Sequence, residues 1–230
     1  MLYEEWQPAY RAILDDFGYS AAGDERARDV LAGLLADERP LGPADIELSG
    51  TVSVCGAASS LESELDVARG ADSVVAASTA ADILRAAGVA VDCMVTDLDE
   101  ESDVARELTE AGTPVAVHAH GDNRPALRER VPRLAVEWVL PTTQAAPVGL
   151  VANPGGFTDG DRAAFLADHC GAAELRFAGW DFDDPDVDPM KARKLDWAKR
   201  LLRWLELRRG DRFDPLDGRR EGIDESALPV

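Results

Sequence analysis

Lysine is nearly missing from this chain. Of its 24 basic residues only Lys191, Lys194 and Lys199 are lysine, against 44 aspartates and glutamates and a formal net charge of −20. No basic stripe exists to neutralise a run of phosphates, so nucleic-acid binding finds no support. Cysteine is scarce too. Cys55, Cys93 and Cys170 are odd in number and widely spaced, which argues against a disulfide framework or a cysteine-based zinc site and leaves small core residues. His118, His120 and His169 are the only histidines, too few for a histidine-rich dinuclear metal centre. No apolar run approaches 18 residues and no signal-peptide-like segment opens the sequence. The expectation is a soluble, cytoplasmic protein without membrane association.

What is present is an ordinary interior under an unusual surface. The hydrophobic share of 46% suffices for a core, and 230 residues make one large domain or two small ones. The acids are spread along folded-looking segments and do not form a single tail. An evenly acidic, lysine-poor surface suits concentrated salt, where at about 1 M the Debye length falls to roughly 3 Å and self-repulsion is screened. This reads as a halophile, and an archaeon. A surface carboxylate is then uninformative by itself, whereas the few retained lysines are informative.

Residues 1–45 read as a helical N-terminal segment packed on a main domain. Trp6, Tyr10, Ile13, Leu14 and Phe17 recur at spacings of three and four, and Val30, Leu31, Leu34 and Leu35 repeat the pattern beyond Gly18 and Gly23. From residue 51 short apolar runs alternate with helical stretches. Strands are expected at 51–55, 73–77, 91–95, 114–117, 135–140, 148–152 and 174–178, with helices between them. Asp188-Pro189 opens a long last helix that Gly210 closes. The alternation predicts an α/β fold over 46–210, three layers around a mostly parallel sheet. Residues 211–230 are charged and turn-rich and read as a loose C-terminal tail.

Open parallel sheets bind ligands outside the carboxyl ends of their strands. Asp97 and Asp99 follow the third expected strand. Two carboxylates this close repel each other, and a hard divalent cation is the natural compensation; a water-facing polar loop is the alternative. His118-Ala119-His120-Gly121-Asp122-Asn123 follows the fourth strand, and Thr158-Asp159-Gly160-Asp161 follows a later one. Thr158 or Asp159 can cap the next helix with Asp161 as capping-box partner. Tight acidic clusters fall on this one edge, which favours a metal site. His118, His120 and Asp122 alternate as zinc ligands would, a three-ligand alternative. The small-residue loop Gly56-Ala57-Ala58-Ser59-Ser60 allows close approach of a ligand to its amides, or is only a tight turn. Lys191 and Lys194 share one face in the first turns of the last helix, where cations oppose the helix dipole. They point to a polyphosphate, or to ion pairs with the acidic run at 181–188.

Taken together, Gly56-x-x-x-Ser60-Leu61, Thr96-Asp97-Leu98-Asp99, the His118–Asn123 run, Gly156-Phe157-Thr158-Asp159-Gly160-Asp161-Arg162-Ala163 and Lys191-x-x-Lys194-Leu195 resemble the archaeal 6-hydroxymethyl-7,8-dihydropterin diphosphokinases, which are distantly similar to thiamine diphosphokinases. The resemblance runs from the N-terminal helices to about residue 205. It implies a Rossmann-like catalytic domain like that of thiamine diphosphokinase. The implied reaction moves diphosphate from ATP to the pterin hydroxymethyl group, yielding AMP, in tetrahydromethanopterin or folate synthesis. Asp97, Asp99, Asp122 and Asp159 would hold Mg²⁺, and Asp97, Asp122, Asp159 and Lys191 would form the catalytic set. Gly56, Ser59, Ser60, His120, Asn123, Thr158, Asp161 and Lys194 would surround the ATP phosphates. The first loop departs from the glycine- and proline-containing loop expected there. Phe157, Trp180 or Phe182 would stack on the pterin. Thiamine or another hydroxymethyl compound as acceptor, a non-catalytic nucleotide- or metal-binding member of the fold, and a homo-oligomer remain open.

Overall fold

The computed structural model describes residues 1–100 and 102–229. Six short runs form strands: β1 (Thr51–Cys55), β2 (Ser73–Ala77), β3 (Cys93–Thr96), β4 (Val115–Ala119), β5 (Val139–Thr143) and β6 (Glu174–Ala178). All pair in parallel, in the order β5-β4-β3-β2-β1-β6. The inner strands β2, β3 and β4 are almost wholly buried and apolar, as a sheet covered on both faces requires. The main helices are α1 (Tyr3–Phe17), α2 (Ala21–Leu34), α3 (Leu65–Arg69), α4 (Ala80–Ala86), α5 (Val104–Glu110), α6 (Arg124–Arg130), α7 (Asp159–His169) and α8 (Pro189–Arg209).

Alternate strand residues feed two cores, which makes the fold three-layered and Rossmann-like. Val52 and Val54 of β1, Val75 and Ala77 of β2, and Cys93 and Val95 of β3 pack with α1, α7 and α8. Their neighbours Cys55, Val74, Ala76 and Met94 pack with α2 to α6. On the first face Trp6 stacks on Trp204 at 6.4 Å and meets Phe165 edge-on at 6.3 Å, so one aromatic cluster joins α1, α7 and α8. Because α1 belongs to one face and α2 to the other, the turn between them crosses the carboxyl edge of the sheet. Asp188 caps α8 by accepting hydrogen bonds from the amides of Met190 and Lys191, and Gly210 ends it at φ 68°.

Three expectations need correction. The strand expected at 135–140 begins with a single 3-10 turn, Val136–Trp138, so β5 runs later and carries Thr143 and Gln144 to the carboxyl edge. The strand expected at 148–152 is reduced to two isolated bridges, Thr142 with Ala152 and Val148 with Val151. Pro147 and Gly149 interrupt that segment, and Val148 and Leu150 are exposed. The tail is not loose. Phe213, Leu216, Ile223 and Leu228 are buried in the α1/α7/α8 core. Buried Glu206 of α8 anchors the segment, accepting hydrogen bonds from the Phe213 amide at 2.7 Å and Arg203 at 2.6 Å and pairing with Arg220. The tail's few large apolar residues are thus the ones that decide its place. Glu206→Ala removes a buried acceptor shared by two arginines and an amide, and is expected to cost about 3 kcal/mol. Denaturant unfolding should show a lower midpoint at unchanged slope.

Candidate active site

The parallel sheet and the α1–α2 turn enclose a cavity of about 580 Å³ at the carboxyl edge. Its walls come from the ends of β1, β2, β3, β4 and β6, the start of α7, the first turns of α8 and the beginning of α2. Asp97, Asp99, Asp122, Asp159, His120, Thr158, Lys191, Lys194 and Gly56 all line it. Ser59, Ser60, Asn123 and Asp161, expected beside the ATP phosphates, do not.

The Asp97 turn is tightly built. Leu98 is buried with φ 61°, a left-handed conformation that a branched apolar residue adopts at a cost. The Thr96 hydroxyl accepts the Leu98 amide at 3.0 Å, and Asp97 Oδ1 accepts the Asp99 amide at 3.2 Å. Asp97 Oδ2 lies 3.0 Å from His120 Nε2. Asn123, buried below the surface, donates from Nδ2 to the carbonyls of Asp97 (2.8 Å) and His118 (2.7 Å), while its Oδ1 accepts the His120 amide at 3.1 Å. Asn123 therefore ties the ends of β3 and β4 together, and both hydrogens of its Nδ2 are engaged in doing so. Ser78, at the end of β2, is the other non-glycine residue with positive φ among those described, and it too lines the cavity.

At α7 the side chain of Asp161 is fully buried and accepts the amides of Phe157 and Thr158 and the Thr158 hydroxyl at 2.6 Å. It shapes the loop, with three of its roughly four acceptor sites engaged there. Gly156, at φ 97°, lies so close to Arg162 that a Cβ would sit 2.5 Å from its Cα. Asp159, the first helical residue, pairs with Arg162 Nη1 at 2.9 Å. The Gly56 loop, which also lines the cavity, is tied to the end of β6. Its Gly56 and Ala58 amides donate to the carbonyls of Ala178 and Gly179, and a Cβ on Gly56 would meet the Gly179 oxygen at 2.5 Å. Ser59 is exposed away from the cavity, and the Ser60 hydroxyl is buried without a partner.

The edge holds more negative charge than it neutralises. Burial pushes Asp99 up to about 6, helped by its hydrogen bond and repulsion from Asp97. Burial and the Asp97 charge push Asp159 up to about 7, against the pull of Arg162. Asp97 is raised by burial but more than compensated by His120, the Asp99 contact and Arg162, which together hold it well below the carboxylate range. Among the described residues, no three His, Cys, Asp or Glu side chains converge as a ready-made metal cage. The zinc alternative therefore lacks a ligand set. His118 is buried, its Nδ1 on the Thr142 hydroxyl at 3.1 Å, and burial lowers its pKa so that the ring is neutral. Oxygen donors spread over several loops suit a cation that keeps waters and shares a ligand's oxygens, as Mg²⁺ does. Lys191 and Lys194 form no ion pair among the described residues, so the acidic run at 181–188 does not occupy them.

Sequence reasoning missed Asp24, Gln144 and Arg162, all buried yet lining the cavity. Arg162 could have been read from its i, i+3 spacing to Asp159. Asp24 looks like any acid in a first helical turn, and Gln144 was hidden by the misplaced fifth strand.

The chain is similar to known proteins over nearly its whole length. A family model described as 6-hydroxymethylpterin diphosphokinase MptE-like matches residues 42–187. A protein of Methanothermobacter thermautotrophicus, named 6-hydroxymethyl-7,8-dihydropterin pyrophosphokinase, is 40% identical over 229 residues, covering 92% of this chain and 97% of its own. Proteins of the same name from Pyrococcus furiosus and Methanocaldococcus jannaschii are 37% and 29% identical, covering 90% and 88% of this chain and 95% of their own in both cases. The matched region contains β1 to β6 and every acidic loop of the cavity, and the chain belongs to the 6-hydroxymethylpterin diphosphokinase MptE-like family.

Proposed function

We propose that this protein transfers diphosphate from ATP to the hydroxymethyl group of 6-hydroxymethyl-7,8-dihydropterin, releasing AMP, with Mg²⁺, in the cytoplasm and in tetrahydromethanopterin or folate synthesis. The observation that carries this reading is the meeting of two unlike sets in one cavity. Carboxylates from three loops face it beside two lysines without acidic partners. A polyphosphate with its metal needs both.

In this reading the pterin hydroxyl oxygen attacks the β-phosphorus of ATP and the bond from Pβ to the α-phosphate oxygen breaks. AMP leaves with that oxygen and its negative charge, and the hydroxyl proton passes to a neighbouring carboxylate or water. Asp97, Asp99, Asp122 and Asp159 would hold Mg²⁺, which when bound masks phosphate charge and orients the chain of phosphates. Lys191 and Lys194 hold the β- and γ-phosphate oxygens as point charges. His120, fixed on Asp97, keeps that carboxylate aimed. Trp180 is anchored by its Nε1 donating to the Val54 carbonyl at 2.9 Å, with Phe182 edge-on at 5.8 Å, so these two rings form a rigid wall for a flat heterocycle. Phe157 already packs on Phe17 at 5.2 Å and supports that wall less well.

With ATP, Mg²⁺ and the dihydropterin in concentrated KCl, the products should be AMP and the pterin diphosphate; ADP would refute the assignment. Asp97→Asn should lower kcat by at least about 100-fold with the melting temperature unchanged within a few degrees, and retained turnover would place the metal elsewhere. Lys191→Ala and Lys194→Ala should each raise KM for ATP by about tenfold and leave the melt unaltered. A drop in stability without a KM change would show the lysines to be structural.

A further inference from the structure

We propose that Gln144, held by Asp24 of α2, positions the Arg162 guanidinium and through it Asp159, which makes the N-terminal helix pair part of the catalytic edge. The chain of contacts is continuous and buried. Asp24 Oδ2 accepts from Tyr10 Oη at 2.7 Å and from Gln144 Nε2 at 2.9 Å. Gln144 Oε1 accepts from Arg162 Nη2 at 3.2 Å, and Arg162 Nη1 donates to Asp159 Oδ1 at 2.9 Å. Asp24 and Gln144 are each 4% exposed and Arg162 5%.

The order of donors and acceptors admits one arrangement. Facing a carboxylate, the Gln144 amide must present its NH₂, so its oxygen must face the guanidinium. Arg162 is thereby held in a fork between one carboxylate and one amide, with its fixed planar geometry aimed at Asp159. The other oxygen of Asp24 accepts the Gly121 amide at 2.7 Å, which steadies the turn between His120 and Asp122. One buried carboxylate thus grips both arms of the acidic edge, the β4 loop and the start of α7. Ala27 and Leu31 of α2, with Leu35 just beyond its end, already pack this segment on the sheet. A buried carboxylate with neutral donors and no ion-pair partner among the described residues adds no packing that apolar residues could not supply. Its effect is geometric.

This inference rests on the reading of Asp159 as a wall of the phosphate site, and the test separates the two. The variants are Gln144→Glu, Asp24→Asn and the double exchange, assayed for turnover of ATP and dihydropterin, with thermal melts on each. Gln144→Glu sets two carboxylates against each other, and Asp24→Asn leaves a single oxygen to serve both the Gly121 amide and the Gln144 NH₂. Each alone should lower kcat by about tenfold to 100-fold with KM for the pterin within about threefold. The double exchange restores a donor facing an acceptor and keeps an acceptor for Arg162, so kcat should return to within about threefold of the unmodified protein. Multiplying losses in the double variant, or single losses that merely follow the melting temperatures, overturn the proposal. A raised pterin KM that the double exchange does not correct also overturns it, because Asp24 would then touch the substrate. Whether the unmodified protein makes AMP or ADP tests the diphosphokinase reading, and recovery of turnover in the double variant answers independently.

Discussion

Every strand in this sheet runs the same way, and that constraint organises the rest of the molecule. Parallel pairing delivers the carboxyl ends of six strands to one edge and puts whatever follows each strand within reach of its neighbours. Acids that lie tens of residues apart in sequence become neighbours there. Asp97 and His120 touch although a helix and a strand intervene. The same geometry forces their electrostatic cost, because carboxylates brought together at a half-buried edge repel one another more strongly than they would in water.

The fold meets that cost with a small number of buried polar side chains that hold the acids in place and neutralise them only in part. Asn123 ties two strand ends through three hydrogen bonds, Asp161 rigidifies the turn into α7, and Arg162 offsets part of the charge beside Asp159. Left-handed Leu98 stores strain at the same place. Such residues are worth keeping only where geometry matters more than stability. Burial and the neighbouring Asp97 push the pKa values of Asp99 and Asp159 up, which records how crowded the carboxylates of this edge are.

The sheet was legible in the sequence wherever burial on both faces demanded a continuous apolar run, as in β1 and β2, and where helices ended in glycine. It was less legible at β5, where Pro141 lies inside the strand and Val136–Trp138 form a helical turn on an apolar stretch that mimics a strand. That slip hid Gln144. The acidic loops were legible because Asp-x-Asp and Gly-Asp clusters are local. What local pattern could not supply was which polar residues face inward. Asn123 and Asp161 sit in the same motifs as Asp122 and Asp159, yet both point into the protein. Asp24 gains its role from partners 97 and 120 residues away. The tail was misread for the opposite reason, since four buried apolar residues outweigh a segment that is otherwise charged.

A chain of charge −20 poses a question for any polyphosphate ligand, and the placement of its cations answers it. Most arginines pair with nearby acids, as Arg106 does with Asp103 and Glu110, Arg203 with Glu206 and Glu225, and Arg209 with Asp168 and Asp211. Lys191, Lys194, Arg26 and Arg124 have no acidic partner among the described residues, and all four line the cavity. The Nε of Arg124 is buried and has no hydrogen-bond partner among the described residues. At about 0.15 M salt the Debye length is roughly 8 Å, and repulsion from the acidic surface reaches the cavity mouth. In molar salt it shrinks to roughly 3 Å, so the surface acids fall silent toward an approaching anion while contact pairs in a half-buried cavity are screened much less. Repulsion from the net charge is then short-ranged, and the four cations lining the cavity are the positive groups that an entering anion would meet there.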